Sequence, residues 1–295
     1  MSTLTQTSVS APTREKRKRQ SWVARLWPER WYVHLALIFS IVILGFPVYY
    51  AIVVSTQTNA QVFAYQMIPG DAFEANLRQV MNQNIWQYMA NSTLVALGVA
   101  GAKTLLSLLA GLAIVYFRFP AKTLIFGFIL ITLMMPQDVL IIGLFRFVAG
   151  DLGWGDTYHA LVIPLAASAT GVFLFRQHFT SISPELSEAA QLDGANPIQF
   201  LFRVLVPMSW NTISALAIIM FLAGWNQYLW PRMIISTEAN QVIQVGLRRL
   251  LSGAETGETF GPLMLGAVIA SIPPILVFIL MQKQFMSGFS LTRDK

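Results

Sequence analysis

Apolar residues along this chain come in long runs, and the polar residues gather between them. A helix crossing the hydrocarbon core of a bilayer needs about 20 mostly apolar residues and must satisfy its own backbone hydrogen bonds there. Six segments qualify, at roughly 34–54, 89–117, 122–136, 158–175, 213–235 and 262–281. The third is the least regular, because the apolar run resumes at 139–148 after Met134, Met135, Pro136, Gln137 and Asp138. Pro136 has no N–H to donate and a carboxylate is costly in lipid, so the span is expected to end there and the next piece to lie in the interface. The pattern predicts an all-α membrane protein with six transmembrane helices.

One polar interruption keeps helical character: 183–197, SPELSEAAQLDGANP, between two apolar spans. Ser183 can cap a helix whose first turn holds Pro184 and Glu185, where a missing N–H costs nothing and a carboxylate meets the positive helix end. Leu186, Ala189 and Ala190 recur at helical spacing, and Gly194 stops the helix. Asn196 and Pro197 then open a second amphipathic segment, through Ile198, Leu201, Phe202 and Leu205, that is expected to end at Pro207. The result is a compact protrusion of two short helices around a glycine corner. Ala189 and Ala190 leave a shallow face for another protein's groove, while Glu185 and Glu188, three apart on one side, are possible anchors.

Composition agrees with the pattern. Of 295 residues, 55% are hydrophobic and 12% charged, with a mean hydropathy of +0.57, which marks an integral membrane protein. With no cysteine there is no disulfide framework, thiolate metal site or cysteine nucleophile. The net charge of +6 owes much to Arg14, Lys16, Arg17, Lys18, Arg19, Arg25 and Arg30, a juxtamembrane topology signal rather than a nucleic-acid patch. No small-residue cleavage site follows the first apolar run, so that span is read as uncleaved. With six spans, 14 Lys and Arg fall on the side of the termini and 5 on the other, which places both termini in the cytoplasm. The organisation expected is a basic tail at 1–33 and a membrane domain at 34–295.

The remaining base, Lys103, lies inside the second span. Its surroundings, GVAGAKT, lack the glycine before lysine and the preceding strand of a phosphate loop. A lone charge against lipid costs at least about 2.5 kcal/mol, so Lys103 is expected to face the bundle interior or snorkel along a groove. Gly98, Ala102, Ser107 and Gly111 suit close approach of another helix. An ion-coupled secondary carrier is the rival class, but such carriers place Asp, Glu or His at the midplane. None of the six spans has a central carboxylate, and His34, His159 and His178 sit near span ends. Neither a catalytic cluster nor a metal-ligating set emerges.

The run Glu188-Ala189-Ala190, three residues, Gly194, nine residues, then Val204-x-Val206-Pro207 resembles the EAA loop of the membrane subunits of binding-protein-dependent ABC importers. That family's pattern ends Ile-x-Leu-Pro, so Val204 and Val206 depart conservatively. The resemblance covers about 89–285, with the loop at 178–207, and the extra first span agrees with the six-helix carbohydrate branch. It implies a coupling helix, with Glu185, Glu188, Ala189, Ala190, Gly194 and Pro207 docking in a cleft of a cytoplasmic ATP-binding subunit and Glu188 facing a base there. It also implies a bacterial inner-membrane location, a second homologous permease subunit, two ATP-binding subunits, an extracytoplasmic substrate-binding protein and no nucleic acid. By the same resemblance ATP and Mg are expected in the partner subunits, and this chain is expected to bind no cofactor and to be no enzyme itself.

Within that branch, Arg118-Phe119-Pro120, Ala167-Ser168-Ala169-Thr170 with Phe173-Leu174-Phe175-Arg176-Gln177, and Gly224-Trp225-Asn226-Gln227-Tyr228-Leu229-Trp230-Pro231 resemble the second permease subunit of glycerol-3-phosphate importers. Carriers of maltose, trehalose or other oligosaccharides, the alternative cargo class, more often have an acid where Gln227 stands. Trp225, Tyr228 and Trp230 suit either an outer-interface aromatic belt or stacking on a polyol. Asn226 and Gln227 are candidate donors to cargo, and a phosphate would want Lys103 or Arg146.

Overall fold

The computed structural model describes residues 31–255, 257 and 259–290, except the side chains of 137–139, 255 and 284–290. The basic residues from Arg14 to Arg30, Arg293, Lys295 and the Asp138 side chain lie outside that description. Among the described residues every regular element is helical. The chain divides into two units at Tyr49/Tyr50. Helix α1 (Trp31–Val54) crosses that boundary as an apolar helix with Pro47 inside it. Two short helices, α2 (Asn59–Phe63) and α3 (Phe73–Met81), follow.

Helix α4 (Ile85–Tyr116) is the axis of the second unit. Its 32 residues extend about 48 Å at 1.5 Å per residue. Helix α8 (Ala169–Thr180) lies hard against it, because a Cβ on Gly171 would collide with Ser107. Between helices in lipid the hydrophobic gain is absent, so such close contact is what holds them together. Gly98 faces Val162 and Gly111 faces Phe175 and Phe179 in the same way.

Three helices are long and apolar enough to cross a membrane, Trp31–Val54, Ile85–Tyr116 and Phe260–Lys283, and two bent pairs raise the number to five. Six uninterrupted spans are therefore not what the described helices form. The third expected span is broken. Helix α5 (Lys122–Thr132) has 11 residues and ends before Pro136, which is extended and precedes α6 (Gln137–Phe145). The residue before a proline is disfavoured in helical geometry, so the break falls ahead of the ring. α6 and the π-turn Arg146–Asp151 turn one side inward and leave Leu140, Ile142 and Phe147 exposed. Ile141, Leu144 and Phe145 pack on a cluster that includes buried Val148, Trp230 and Ile234.

The fourth segment also bends, by 47°, between Tyr158–Leu165 and Ala169–Thr180. Helix α7 (Tyr158–Val162) passes into a 3-10 turn containing Pro164, and extended Ser168 restarts α8, its Oγ accepting from the Gly171 N–H at 3.2 Å. α9 (Pro184–Leu192), α10 (Pro197–Phe200) and α11 (Val206–Met208) form the polar insert, and α12 (Trp210–Trp225) returns along α4. The fifth segment is interrupted at 226–228 before α13 (Leu229–Ile234); α14 (Ile243–Glu255) and α15 (Phe260–Ser290) complete the bundle.

Candidate functional site

At one end of α4 stands the polar insert. Pro184 opens α9 as expected, but the Ser183 side chain makes no capping bond. The far end of α9 closes with two backbone bonds: the Ala195 N–H donates to Ala190 O at 2.9 Å and the Gly194 N–H to Gln191 O at 3.1 Å. Gly194 has φ +77. This is the paired closure that glycine permits, because a left-handed residue costs others a Cβ clash. Asn196 and Gln199 then cap α10 reciprocally, at 2.8 and 3.0 Å.

The second segment ends one residue past Pro207, at Met208, where an 84° bend leads into α12. Ahead of the ring the chain passes through a π-turn, Leu201–Leu205, in which the Val206 N–H donates to Leu201 O, and Pro207 sits in the first turn of α11. The one-residue register shift places the missing proline N–H in the first turn of this last short helix, where it costs no hydrogen bond.

Glu185, Glu188, Ala189 and Pro207 are exposed, whereas Ala190 is half-buried and packs inward on the core formed by Leu108, Leu112, Phe175, Phe179, Phe200, Leu201 and Leu205. The alanine pair is thus split between two faces, because adjacent helix positions point about 100° apart. The insert is rooted in the bundle. Leu201 and Leu205 are fully buried, and the Phe200 ring meets Tyr116 of α4 edge-on at 5.1 Å.

Near the middle of α4, Lys103 is 7% exposed. It lines a cavity of about 280 Å³ together with Asn226, Gln227, Tyr228, Leu229, Trp230 and residues of α6. No carboxylate lines the cavity. Gln227 Oε1 is buried there with no hydrogen-bond partner, while Asn226 Oδ1 accepts from Gln244 at 3.4 Å. Four expected residues therefore converge. Trp225 does not join them: it is buried at 2% exposure and stacks on Phe221 at 5.9 Å, inside the bundle core. Arg146, exposed at the head of its π-turn, is not in the lining either. The helix break at 226–228 explains the difference, since it turns the three residues after Trp225 away from the core face of α12.

Tyr228 also borders a second cavity, of about 220 Å³, with Arg232, Arg248, Arg249 and Ser252. At this end of α4 a polar network ties the 234–243 loop down. Asn91 donates to Ala239 O and Gln241 O at 2.7 and 2.8 Å, and the Tyr158 hydroxyl donates to Asn91 Oδ1 at 2.9 Å. Glu238 accepts from Tyr88 Oη and pairs with Arg249, and the Tyr88 bond, with the Arg249 charge after it, holds the Glu238 carboxyl below its usual range. Asp156, with φ +59, accepts from the Thr237 hydroxyl and from the amides of Thr237 and Ser236. These bonds, the hydroxyl first, lower its pKa. Sequence reading missed this network because its partners lie about 80 and 150 positions apart. The local signals, GWGDT and STEANQ, indicate turns and nothing more.

A pH dependence follows. The bonded form of Asp156 is the carboxylate, so its contribution is complete above the unfolded value of about 3.9 and is lost as pH falls through the depressed folded value. The hydrogen-exchange protection factors over 234–243, with the intrinsic pH dependence divided out, are expected to fall in that acid range. In Asp156→Asn these factors are expected to be low already near neutrality and to depend less on pH; wild-type protection in that variant would contradict the anchoring role.

Comparison with known proteins places this architecture. Residues 103–290 match the family described as binding-protein-dependent transport system inner membrane component. A Brucella melitensis protein, sn-glycerol-3-phosphate transport system permease protein UgpE, is 40% identical over 265 residues, 86% of this chain and 94% of that protein. Proteins of the same name from Agrobacterium fabrum and Pectobacterium atrosepticum are 39% and 38% identical, each with 86% of this chain and 94% of the relative covered. The fold is similar to a chain in the crystal structure of a bacterial ABC transporter involved in the import of the acidic polysaccharide alginate, at TM-score 0.72 and 23% identity, covering 90% of this chain and 99% of that one. A second such structure, in complex with alginate pentasaccharide-bound periplasmic protein, matches at TM-score 0.58 and 17% identity, covering 87% and 96%. The chain thus belongs to the inner membrane components of binding-protein-dependent transport systems, as a multi-pass permease subunit of an ABC importer.

Proposed function

We propose that this permease forms half of the pathway for sn-glycerol-3-phosphate or a related polyol phosphate. The observation that carries the cargo reading is Lys103: a buried cation in a cavity without a carboxylate, beside the unpartnered Oε1 of Gln227. An isolated buried charge is expensive, and a phosphate oxygen would supply its missing partner. Asn226, Gln227 and Tyr228 offer hydrogen bonds to hydroxyl groups. Arg232, Arg248 and Arg249, around the adjoining cavity, would draw an anion to that mouth. The names of the relatives support the same cargo.

In this reading the chain assembles with a second homologous permease and two ATP-binding subunits, which hold ATP and Mg. A binding protein delivers cargo on the arginine side. Both termini and the basic tail at 1–33 face the cytoplasm, as does the insert at 178–207. Glu185, Glu188 and Ala189 present α9 to a cleft of the ATP-binding subunit, with Gly194 setting the corner. Displacement of α9 reaches α4, and so the level of Lys103, through Ala190, Phe200, Leu201 and Leu205, which pack on Leu112 and Tyr116.

The test is reconstitution of the whole assembly with its binding protein. sn-Glycerol-3-phosphate is expected to stimulate ATP hydrolysis, and uptake to survive a collapsed proton gradient but stop without ATP. Stimulation by an oligosaccharide alone would reassign the cargo. Asn226→Ala and Gln227→Ala are each expected to slow uptake about two- to tenfold, the worth of one hydrogen bond, with assembly intact; unchanged transport in both would make these residues packing groups.

A further inference from the structure

Where α12 gives way to α13 the chain carries Trp225, Tyr228 and Trp230, and the fold holds these aromatic side chains unequally. Trp225 stacks on Phe221 in the core. Trp230 is 3% exposed, and its Nε1–H donates to Ala160 O at 3.0 Å. Tyr228 is 37% exposed, and its side chain has neither a hydrogen bond nor a ring contact among the described residues. Its backbone is fixed all the same, because the Arg232 N–H donates to Tyr228 O at 3.0 Å in the first turn of α13. The ring thus stands on a fixed stem, with no polar or aromatic partner to hold it in one rotamer.

Tyr228 is also the residue that the linings of the Lys103 cavity and the arginine cavity share. The first contributes Lys103, Asn226 and Gln227; the second contributes Arg232 from α13 and Arg248 and Arg249 from α14. Among the described residues no carboxylate lines either one. Arg249 pairs with the nearby Glu238 and donates to Tyr88 Oη at 3.2 Å. Arg232, one helical turn beyond Tyr228, is in no ion pair among the described residues. The cavities hold about 280 and 220 Å³, below the roughly 300–1,000 Å³ of sites for drug-sized ligands, and each suits a small anion.

We propose that the arginine cavity is an outer anion station on the cargo path, and that the Tyr228 ring is the movable partition between it and the Lys103 station. The proposal rests on the anionic cargo assigned to the Lys103 cavity. Two cation sites in series let an anion leave one as it meets the next, so neither has to bind so tightly that release becomes slow. A partition between them shields the inner cation from the arginine side until the ring turns, in keeping with a Lys103 that is 7% exposed.

The chain has no cysteine, so Leu165→Cys, in the lining of the Lys103 cavity and not of the other, gives it a single reactive thiol. The complete assembly is kept in sealed right-side-out membrane vesicles without cargo. Impermeant methanethiosulfonates, anionic sulfonatoethyl or cationic trimethylammonioethyl, are added outside. Labelling is read as mass gained by this subunit, with each rate divided by that for a free thiol. The anionic reagent is expected to react faster. Tyr228→Ala should accelerate it about tenfold, the upper range of what displacing a side chain from its rotamer costs. Arg232→Gln should lower the anionic-to-cationic ratio about three- to fivefold, the worth of one exposed charge. If Tyr228→Ala fails to assemble, Tyr228→Trp carries the test, since its larger ring fills the partition and should slow labelling. Rates unchanged by substitution of Tyr228, or a ratio indifferent to Arg232→Gln, would overturn the proposal. Because no cargo is present, the outcome is separate from the cargo test. The expected labelling with no stimulation of ATP hydrolysis by sn-glycerol-3-phosphate would uphold the partition and reject that cargo, whereas normal stimulation with indifferent labelling would reject the partition alone.

Discussion

Replacement of Gly194 by valine is expected to abolish stimulation of ATP hydrolysis by cargo while the permease still inserts in the membrane. Gly194 holds φ +77, and a Cβ added there meets nothing within 4 Å. A substitution therefore brings no clash with neighbours, and its effect must come through the backbone. The left-handed conformation costs an ordinary residue about 1–2 kcal/mol, roughly a tenfold change in the population of the corner, and a β-branched residue more. When the corner opens, the Ala195 and Gly194 amides lose Ala190 O and Gln191 O, and the angle between α9 and α10 is no longer fixed. A graded series follows, with asparagine, which tolerates this conformation, near wild type, alanine weakened and valine uncoupled. Glu188→Lys supplies the companion result. Glu188 is exposed on α9 and no ion pair within this chain includes it among the described residues, so charge reversal should leave folding alone and weaken copurification of the ATP-binding subunit. Wild-type coupling in both Gly194→Val and Glu188→Lys would dismiss the insert as the docking element.

Loss of the Lys103 charge is expected to separate transport from stability. In Lys103→Met uptake of sn-glycerol-3-phosphate should fall roughly 10- to 100-fold, the worth of a hydrogen bond to a charged group. Thermal stability should hold or rise. The methionine replaces a cation that is 7% exposed and has no ion pair among the described residues, and removal of such a charge relieves a desolvation cost. Lys103→Arg keeps the charge and should retain part of the uptake. A structural lysine would behave the other way, with assembly and uptake lost together. Full uptake by Lys103→Met at unchanged affinity would remove the phosphate role from this residue.

Much of this protein is local and therefore legible along the chain. Long apolar runs determined the all-α membrane class, because a bilayer leaves the backbone no other partner than its own helix. Pro136 marked a break, and Gly194 marked a corner, because one lacks an N–H and the other lacks a Cβ. The spacing from Glu188 to Pro207 carried the family resemblance, and the same short stretch carried the amphipathic insert.

Tertiary structure decided the rest. Whether Ala190 faces outward with Ala189 or inward to Tyr116 depends on how α9 leans on α4, which no periodicity specifies. The chain bends by 84° one residue past Pro207, and a π-turn shifts the register just ahead of the ring. Trp225 leaves the cavity and Gln227 enters it because the helix stops between them. Asp156 with Thr237 and Tyr88 with Glu238 meet across 81 and 150 positions, and Lys103 meets Asn226 across more than a hundred. Such encounters are settled by the packing of whole helices, since loop closure costs little extra over long distances while contact between small residues such as Ser107 and Gly171 selects which faces meet.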